Sequence, residues 1–253
     1  GHGVTEEETY SRKLEARLNK EAFGVTFHVI NAGVAAYSSF QSWKYLELRG
    51  MDLEPDMVLF YHELNDSLPT SIRDFAGGDH ELSQSDWERY DSARYRLADL
   101  LDRHWMTYRG LSLALARLRI RSKVKHAESP TGLDWESLLE ANTLSDARLP
   151  VRVPTPERRR VLEELLRLCR ENGVQLVLIH PSYRGWIEHE CTLTRFAASE
   201  GVPIFEARPS LHPGGERKGL FQDGMHPTAR GHERLTADLA DFLVDNDLVR
   251  LRP

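Results

Sequence analysis

Short β-rich apolar runs alternate with amphipathic helical stretches in this chain, and this alternation limits the fold more than any other feature of the sequence. The β-rich runs cover residues 25–30, 57–61, 174–179 and 202–205. The helical stretches carry apolar residues three or four positions apart, as at Val161 and Leu165. Strands that alternate with helices predict an α/β fold, in which helices cover both faces of a parallel sheet.

A stretch from about residue 67 to residue 154 interrupts the alternation. It is long for a connection between strands, so we expect a mainly helical insertion within one domain of residues 1–253, with its clearest helix at about 92–125. The composition is that of a globular protein, with 40% hydrophobic and 28% charged residues. The net charge of −6 gives no overall attraction to nucleic acid, which is therefore not a predicted partner.

The sequence shows no apolar run near the roughly 18 residues that a membrane-spanning helix needs. No signal peptide is visible at the start of the chain. The two cysteines, Cys169 and Cys191, do not indicate a disulfide framework. Cys169 falls on a helical apolar stripe, where we expect it to be a small buried residue.

Three polar segments follow predicted strands or precede the last predicted helix. In parallel sheets, catalytic and ligand-binding residues usually lie beyond the carboxyl ends of the strands. Gly33 closes the segment after the first run, and Asn65 follows the second. Asp223 and His226 stand three positions apart, directly before the helix that Thr228 is predicted to cap. Taken singly, each has an ordinary explanation: a turn glycine, a turn asparagine, and a capping carboxylate beside a surface imidazole.

The same residue types are those that acyl transfer requires. An imidazole takes the proton of the nucleophile and returns it to the leaving group, while a carboxylate fixes the tautomer of that imidazole. His226 and Asp223 could supply these two groups. The amide of Asn65 and the backbone N–H of Gly33 could donate hydrogen bonds to a developing oxyanion.

The order and context of these segments resemble the SGNH (GDSL-type) hydrolase family. The sequence "VINAGVAAYSSFQ" resembles its glycine block, "PDMVLFYHELNDS" its asparagine block, and "FQDGMHPTARGHERLTADL" its C-terminal block, which is the most specific match. The resemblance covers about residues 1–66 and 155–246. It implies a three-layer α/β/α, flavodoxin-like fold and the activity of an esterase, lipase, carbohydrate deacetylase or acyltransferase.

By this resemblance His226 is the general base and acid, Asp223 its orienting partner, and Gly33 and Asn65 two of the three oxyanion donors. The family implies a small-molecule or carbohydrate ester as substrate and neither metal nor organic cofactor. The acyl group, the acceptor and the oligomeric state do not follow from the sequence.

Two departures from the family pattern stand out. Glu63 occupies the position of a glycine in the asparagine block, where it could alter substrate preference or point to solvent. The Gly-Asp-Ser block with its central strand and nucleophilic serine is absent, so we expect both to lie upstream of Gly1 in a longer protein. Four other serines follow strands and are expected to be helix caps or turn residues: Ser38, Ser39, Ser67 and Ser182.

Two rival hypotheses remain open. A chain that has lost the serine block would be a non-catalytic binding protein. A metal hydrolase would draw on the ligand types His62, His180, Asp223, His226 and His232. The sequence contains no zinc-type spacing of histidines or cysteines, however, so no metal is predicted.

Overall fold

The computed structural model describes residues 3–22, 24–67, 85–93, 96–97, 151–183, 191–213 and 219–250. The chain divides into two compact units. The sheet unit comprises Gly1–Ala35, Lys44–Glu63 and Leu162–Pro253. The helical unit comprises Ala36–Trp43 and Leu64–Val161.

The sheet unit contains a parallel sheet of three strands in the order β1-β2-β3. The strands are β1 (Met57–Tyr61), β2 (Gln175–His180) and β3 (Ile204–Glu206). Leu59 lies opposite Val177, and Ile179 lies opposite Phe205. These strands confirm the second, third and fourth predicted runs. The third strand begins two residues later than predicted, because the Val202 N–H closes the preceding helix on the carbonyl of Ala197.

Eight α-helices lie within the described ranges. They are α1 (Tyr10–Glu21), α2 (Ser39–Tyr45), α3 (Leu64–Ser67), α4 (Asp86–Asp91), α5 (Thr155–Glu171), α6 (Thr192–Glu200), α7 (Arg208–Leu211) and α8 (Ala229–Asp245). A π-helical turn and a 3-10 turn extend α2 to Leu53. None of these helices is long and apolar enough to cross a membrane.

The core of the sheet unit forms where α1 and α8 pack against one face of the sheet. Leu14 of α1 and Leu239 of α8 join Val177 and Ile179 of β2 in one buried cluster. Alternate residues of a strand point to opposite faces, and Leu178 is also fully buried. Helix α6 contacts β2 without contributing to the first cluster. Helices therefore cover both faces, which confirms the predicted α/β fold with a parallel sheet.

The prediction of a first strand at residues 25–30 is wrong. The segment is extended, but none of the described strands pairs with it. Side chains of α1 bond to its backbone instead. Asn19 donates to the carbonyl of Phe27 at 2.8 Å and accepts from its N–H at 2.7 Å, and Glu15 accepts from the N–H of Val29 at 2.6 Å. Ile30 remains 63% exposed.

The described part of the helical unit is organised by buried ion pairs. Asp66 accepts the N–H of Ser39 at 2.7 Å and lies 3.3 Å from the guanidinium of Arg158. Asp86 accepts the hydroxyl of Ser38 at 2.6 Å and lies 3.4 Å from Arg152. Most of the expected insertion, including the predicted helix at 92–125, lies outside the described residues. The single-domain organisation therefore stays a prediction.

Candidate active site

Asp223 and His226 form a hydrogen-bonded pair on the turn before α8. His226 Nδ1 lies 2.7 Å from Asp223 Oδ2. Since an ionised carboxylate only accepts hydrogen bonds, Nδ1 carries the proton. The backbone N–H groups of Met225 and His226 both donate to Asp223 Oδ1 at 2.7 Å. The carboxylate therefore fixes both the tautomer and the orientation of the imidazole.

The environment of Asp223 favours its charged form. Partial burial acts to raise the pKa of this carboxyl, but the hydrogen bonds from His226 and from the two backbone N–H groups outweigh it and lower the pKa below its usual value. The His226 side chain is 37% exposed and the Asp223 side chain is 41% exposed. An anionic partner on an accessible imidazole is the arrangement that a general base needs.

Backbone contacts hold the turn in place around this pair. The N–H of Gln222 donates to the carbonyl of His226 at 2.8 Å, and the N–H of Thr228 donates to the carbonyl of Leu220 at 2.9 Å. The Thr228 hydroxyl accepts the N–H of Gly231, which confirms the predicted helix cap. Gly231 is required here, because a Cβ at this position would stand 2.3 Å from the Leu220 carbonyl oxygen.

The two predicted oxyanion donors each have a partner inside the chain. Gly33 lies in the sheet unit, exposed, and its N–H donates to Asn31 Oδ1 at 3.1 Å. Asn65 lies on α3 in the helical unit, and its amide donates to the carbonyl of Tyr37 at 2.8 Å. A side-chain amide has two N–H bonds, so one such contact does not use up its capacity to donate. The roles of both residues stay predictions.

The four serines expected to be helix caps or turn residues are buried or hydrogen-bonded. Ser38, Ser39 and Ser182 are buried. The Ser38 hydroxyl accepts the N–H of Gln41 at 3.3 Å at the start of α2, as predicted for a cap. The Ser67 hydroxyl accepts a hydrogen bond from Arg158 at 3.0 Å.

Sequence reasoning missed a second polar cluster at the carboxyl edge of the sheet. His180 is the last residue of β2, Glu206 is the last residue of β3, and Glu63 follows β1 by two positions. His180 Nδ1 lies 2.6 Å from Glu206 Oε2, and His180 Nε2 lies 3.2 Å from Glu63 Oε2 and 3.5 Å from the sulfur of Cys191. Glu63 is buried, which rules out the expected alternative that it points to solvent.

The neighbours of His180 reverse the effect of its burial. Burial alone acts to lower the pKa of this imidazole, but its polar contacts with Cys191, Glu63 and Glu206 raise it to about 11. A signal for the cluster exists in the sequence, because ionisable residues stand at the ends of three successive predicted strands. Finding it requires the strand order and register, which the alternation of elements does not supply.

The other histidines weighed as metal ligands do not belong to this cluster. Within the described ranges, a single group of three or more potential ligand residues has its ligand atoms close together, and it comprises Glu63, His180 and Cys191. His232 is buried on α8 and stacks on Tyr10 with ring centroids 6.1 Å apart. Burial, with a smaller contribution from Lys13, lowers the pKa of His232 to about 4.

The fold resembles that of solved ester-hydrolase structures at low sequence identity. A protein of Desulfitobacterium hafniense DCB-2, described as a lipolytic protein of the G-D-S-L family, matches with a TM-score of 0.53 and 10% identity over 96% of this chain and 93% of its own. An acetyl xylan esterase, AlAXEase, matches with a TM-score of 0.49 and 11% identity over 94% and 91%. This chain has an SGNH-like α/β fold. No family model and no curated protein sequence matches it.

Proposed function

We propose that this chain carries the acid–base machinery of a serine ester hydrolase. The observation that carries the proposal is the 2.7 Å hydrogen bond between His226 Nδ1 and Asp223 Oδ2. The two residues lie on a turn before α8 that backbone hydrogen bonds hold in place. The SGNH-like fold supports it, because a solved protein of similar fold is described as a lipolytic protein of the G-D-S-L family. The substrate is then a small-molecule or carbohydrate ester.

In the proposed reaction His226 first accepts a proton from the serine and then donates it to the leaving alcohol. Its Nε2 takes the proton of the serine hydroxyl as the serine oxygen bonds to the ester carbonyl carbon. The resulting imidazolium, stabilised by Asp223, gives this proton to the leaving alcohol as the ester C–O bond breaks. Water then attacks the acyl-serine by the same route, which releases the acid and restores the serine.

Gly33 and Asn65 are proposed to stabilise the oxyanion of the tetrahedral intermediates, together with the N–H of the serine itself. Gly33 must release its bond to Asn31 for this purpose, while Asn65 can use the second N–H of its amide. A donor of this kind contributes about 10²–10³ in kcat. We therefore expect Asn65→Ala to lower kcat by a factor of about 10²–10³.

The proposed nucleophile is a serine upstream of Gly1. The burial of Ser38, Ser39 and Ser182 and the hydrogen bond from Arg158 to Ser67 argue against any of these four serines as the nucleophile. A fluorophosphonate probe tests the assignment directly, because it reacts with the activated serine alone. Peptide mass mapping of the labelled full-length protein should place the label on a serine N-terminal to Gly1, and a label on one of these four serines would contradict the proposal.

Replacement of His226 by Ala in the full-length protein tests the base. Hydrolysis of p-nitrophenyl acetate should fall by about 10⁴-fold or more, because the imidazole acts only in the chemical step. His28→Ala is the matched control, since His28 is exposed on the extended segment after α1. Unchanged turnover in the His226 variant, with normal folding by circular dichroism, would refute the mechanism.

A further inference from the structure

Side chains from the ends of two neighbouring strands and from the start of α6 meet at a second place in the sheet unit. Glu63 follows β1, His180 ends β2, and Cys191 directly precedes α6. All three are buried. We propose that Glu63, His180 and Cys191 bind a divalent metal ion of the zinc class, at a site separate from the Asp223–His226 pair.

The two distances from His180 Nε2 to the other ligand atoms match those of tetrahedral coordination. Zinc bonds of about 2.0 Å to nitrogen or oxygen and about 2.3 Å to sulfur place neighbouring ligand atoms about 3.3–3.6 Å apart. His180 Nε2 lies 3.2 Å from Glu63 Oε2 and 3.5 Å from Cys191 Sγ. The three ligand atoms all lie within 4.8 Å of one another.

Glu63 gives an independent reason for a cation at this place. Its residue surface is 4% exposed, and neither carboxylate oxygen makes a hydrogen bond within the part of the chain that the structure describes. Among the same residues, one of these oxygens has the 3.2 Å ion pair with His180, and the other has no such contact. A buried carboxylate is costly unless it is paired or coordinates a metal, so a cation among these three residues would offset the cost.

Glu206 completes the arrangement around His180. Its Oε2 lies 2.6 Å from His180 Nδ1, so this carboxylate holds the proton on Nδ1 and leaves Nε2 to act as the ligand. A carboxylate behind a histidine ligand orients the ring and increases its basicity. Glu206 is thus a positioning residue of the proposed site rather than a ligand.

The ligand set also selects the kind of ion. A thiolate, an imidazole and a carboxylate favour zinc or cobalt over magnesium or calcium, which prefer oxygen ligands alone. Binding requires the Cys191 thiol and His180 Nε2 to be unprotonated, so protons released from these groups pass to solvent. The two anionic ligands then balance the charge of the ion, and three protein ligands leave its fourth position for water.

Cobalt substitution tests the proposal without reference to catalysis. The chelator-treated full chain, titrated with Co²⁺, should bind one ion per chain and develop the sulfur-to-cobalt absorption band. Cys191→Ser should abolish this band. Cys169→Ser is the matched control and should retain it, because Cys169 is the other buried cysteine and lies on α5 outside the cluster. His226→Ala should also retain it, which separates this proposal from the proposed hydrolase.

Two glutamate variants sharpen the outcome. Glu206→Gln should keep the band but weaken cobalt affinity about 10–100-fold, as expected for a residue that acts through a ligand. Glu63→Gln keeps the shape of the side chain and should weaken affinity further, and it decides the case if Cys191→Ser does not fold. Failure of the wild-type chain to bind Co²⁺, a band that survives Cys191→Ser, or unchanged affinity in Glu63→Gln would each overturn the proposal.

Discussion

The sheet unit contains two histidines that hold a carboxylate at Nδ1, and the two pairs differ in almost everything else. His226 meets Asp223 at 2.7 Å, three positions away in the chain, on a turn where both side chains are more than a third exposed. His180 meets Glu206 at 2.6 Å across two strands, and its side chain is 8% exposed. The first imidazole is accessible to a molecule from solution, whereas the second is buried although its partner Glu206 is 46% exposed.

The difference shows that a short histidine–carboxylate distance does not by itself identify a base. At His226 one carboxylate fixes the ring while the exposed surface leaves room for a reaction partner. At His180 the second ring nitrogen already faces Glu63 and Cys191. Accessibility therefore supports the proposed proton transfer at the first pair, and the three neighbouring groups support the proposed cation binding at the second.

The largest effect should follow from removal of the charge of Asp223. In Asp223→Asn the amide can donate to Nδ1 and so favours the tautomer with its proton on Nε2, which cannot accept the proton of a serine. We expect kcat for p-nitrophenyl acetate to fall by about 10⁴-fold while the protein stays folded. Asp245→Asn, on the exposed end of α8, is the control and should leave kcat unchanged. Equal activity of the two variants would remove Asp223 from the mechanism.

The Asp223–His226 pair could be predicted from the sequence because its geometry is local. Three positions on a turn bring both side chains to the same side, and Thr228 fixes where the helix begins. The cluster at His180 could not be predicted in the same way. It depends on β1 and β3 pairing with β2 in register, which brings together residues more than a hundred positions apart.

The extended segment at 25–30 marks a different limit of the sequence. Alternating apolar residues predict an extended backbone, and Phe27 and Val29 do pack against the core of the sheet unit. Whether such a segment joins a sheet depends on a partner for its N–H and carbonyl groups. Here Asn19 and Glu15 of α1 bond to the backbone of this segment, which no pattern within the segment reveals.

The next largest effect should separate the two pairs by stability. In chelator-treated protein, His180→Ala leaves the buried carboxylate of Glu63 without its countercharge, which should lower the free energy of unfolding by about 3–5 kcal/mol. His226→Ala removes a half-exposed pair and should change it by about 1 kcal/mol or less. Urea denaturation at constant m-value measures both. Equal midpoints for the two variants would show that burial does not distinguish the pairs.

The smallest effect concerns a third histidine, His232, at which burial outweighs the neighbouring charges. His232 is buried like His180, yet its pKa falls to about 4, whereas Glu63, Glu206 and Cys191 raise that of His180 to about 11. Because the unfolded chain binds a proton at His232 near pH 6.5 and the folded chain does not until about pH 4, stability should fall as the pH drops through this window.

The loss attributable to His232 should be roughly 2–3 kcal/mol between pH 7 and pH 4. His232→Phe keeps a ring against Tyr10 but cannot take up a proton, so its stability should depend less on pH over this range. Lys13 and Glu8 also act on His232, so the difference between variant and wild type is the quantity to measure, by urea denaturation at each pH. His28→Phe, at an exposed position, should retain the wild-type slope. Parallel curves for His232→Phe and wild type would mean that burial alone does not hold this histidine neutral.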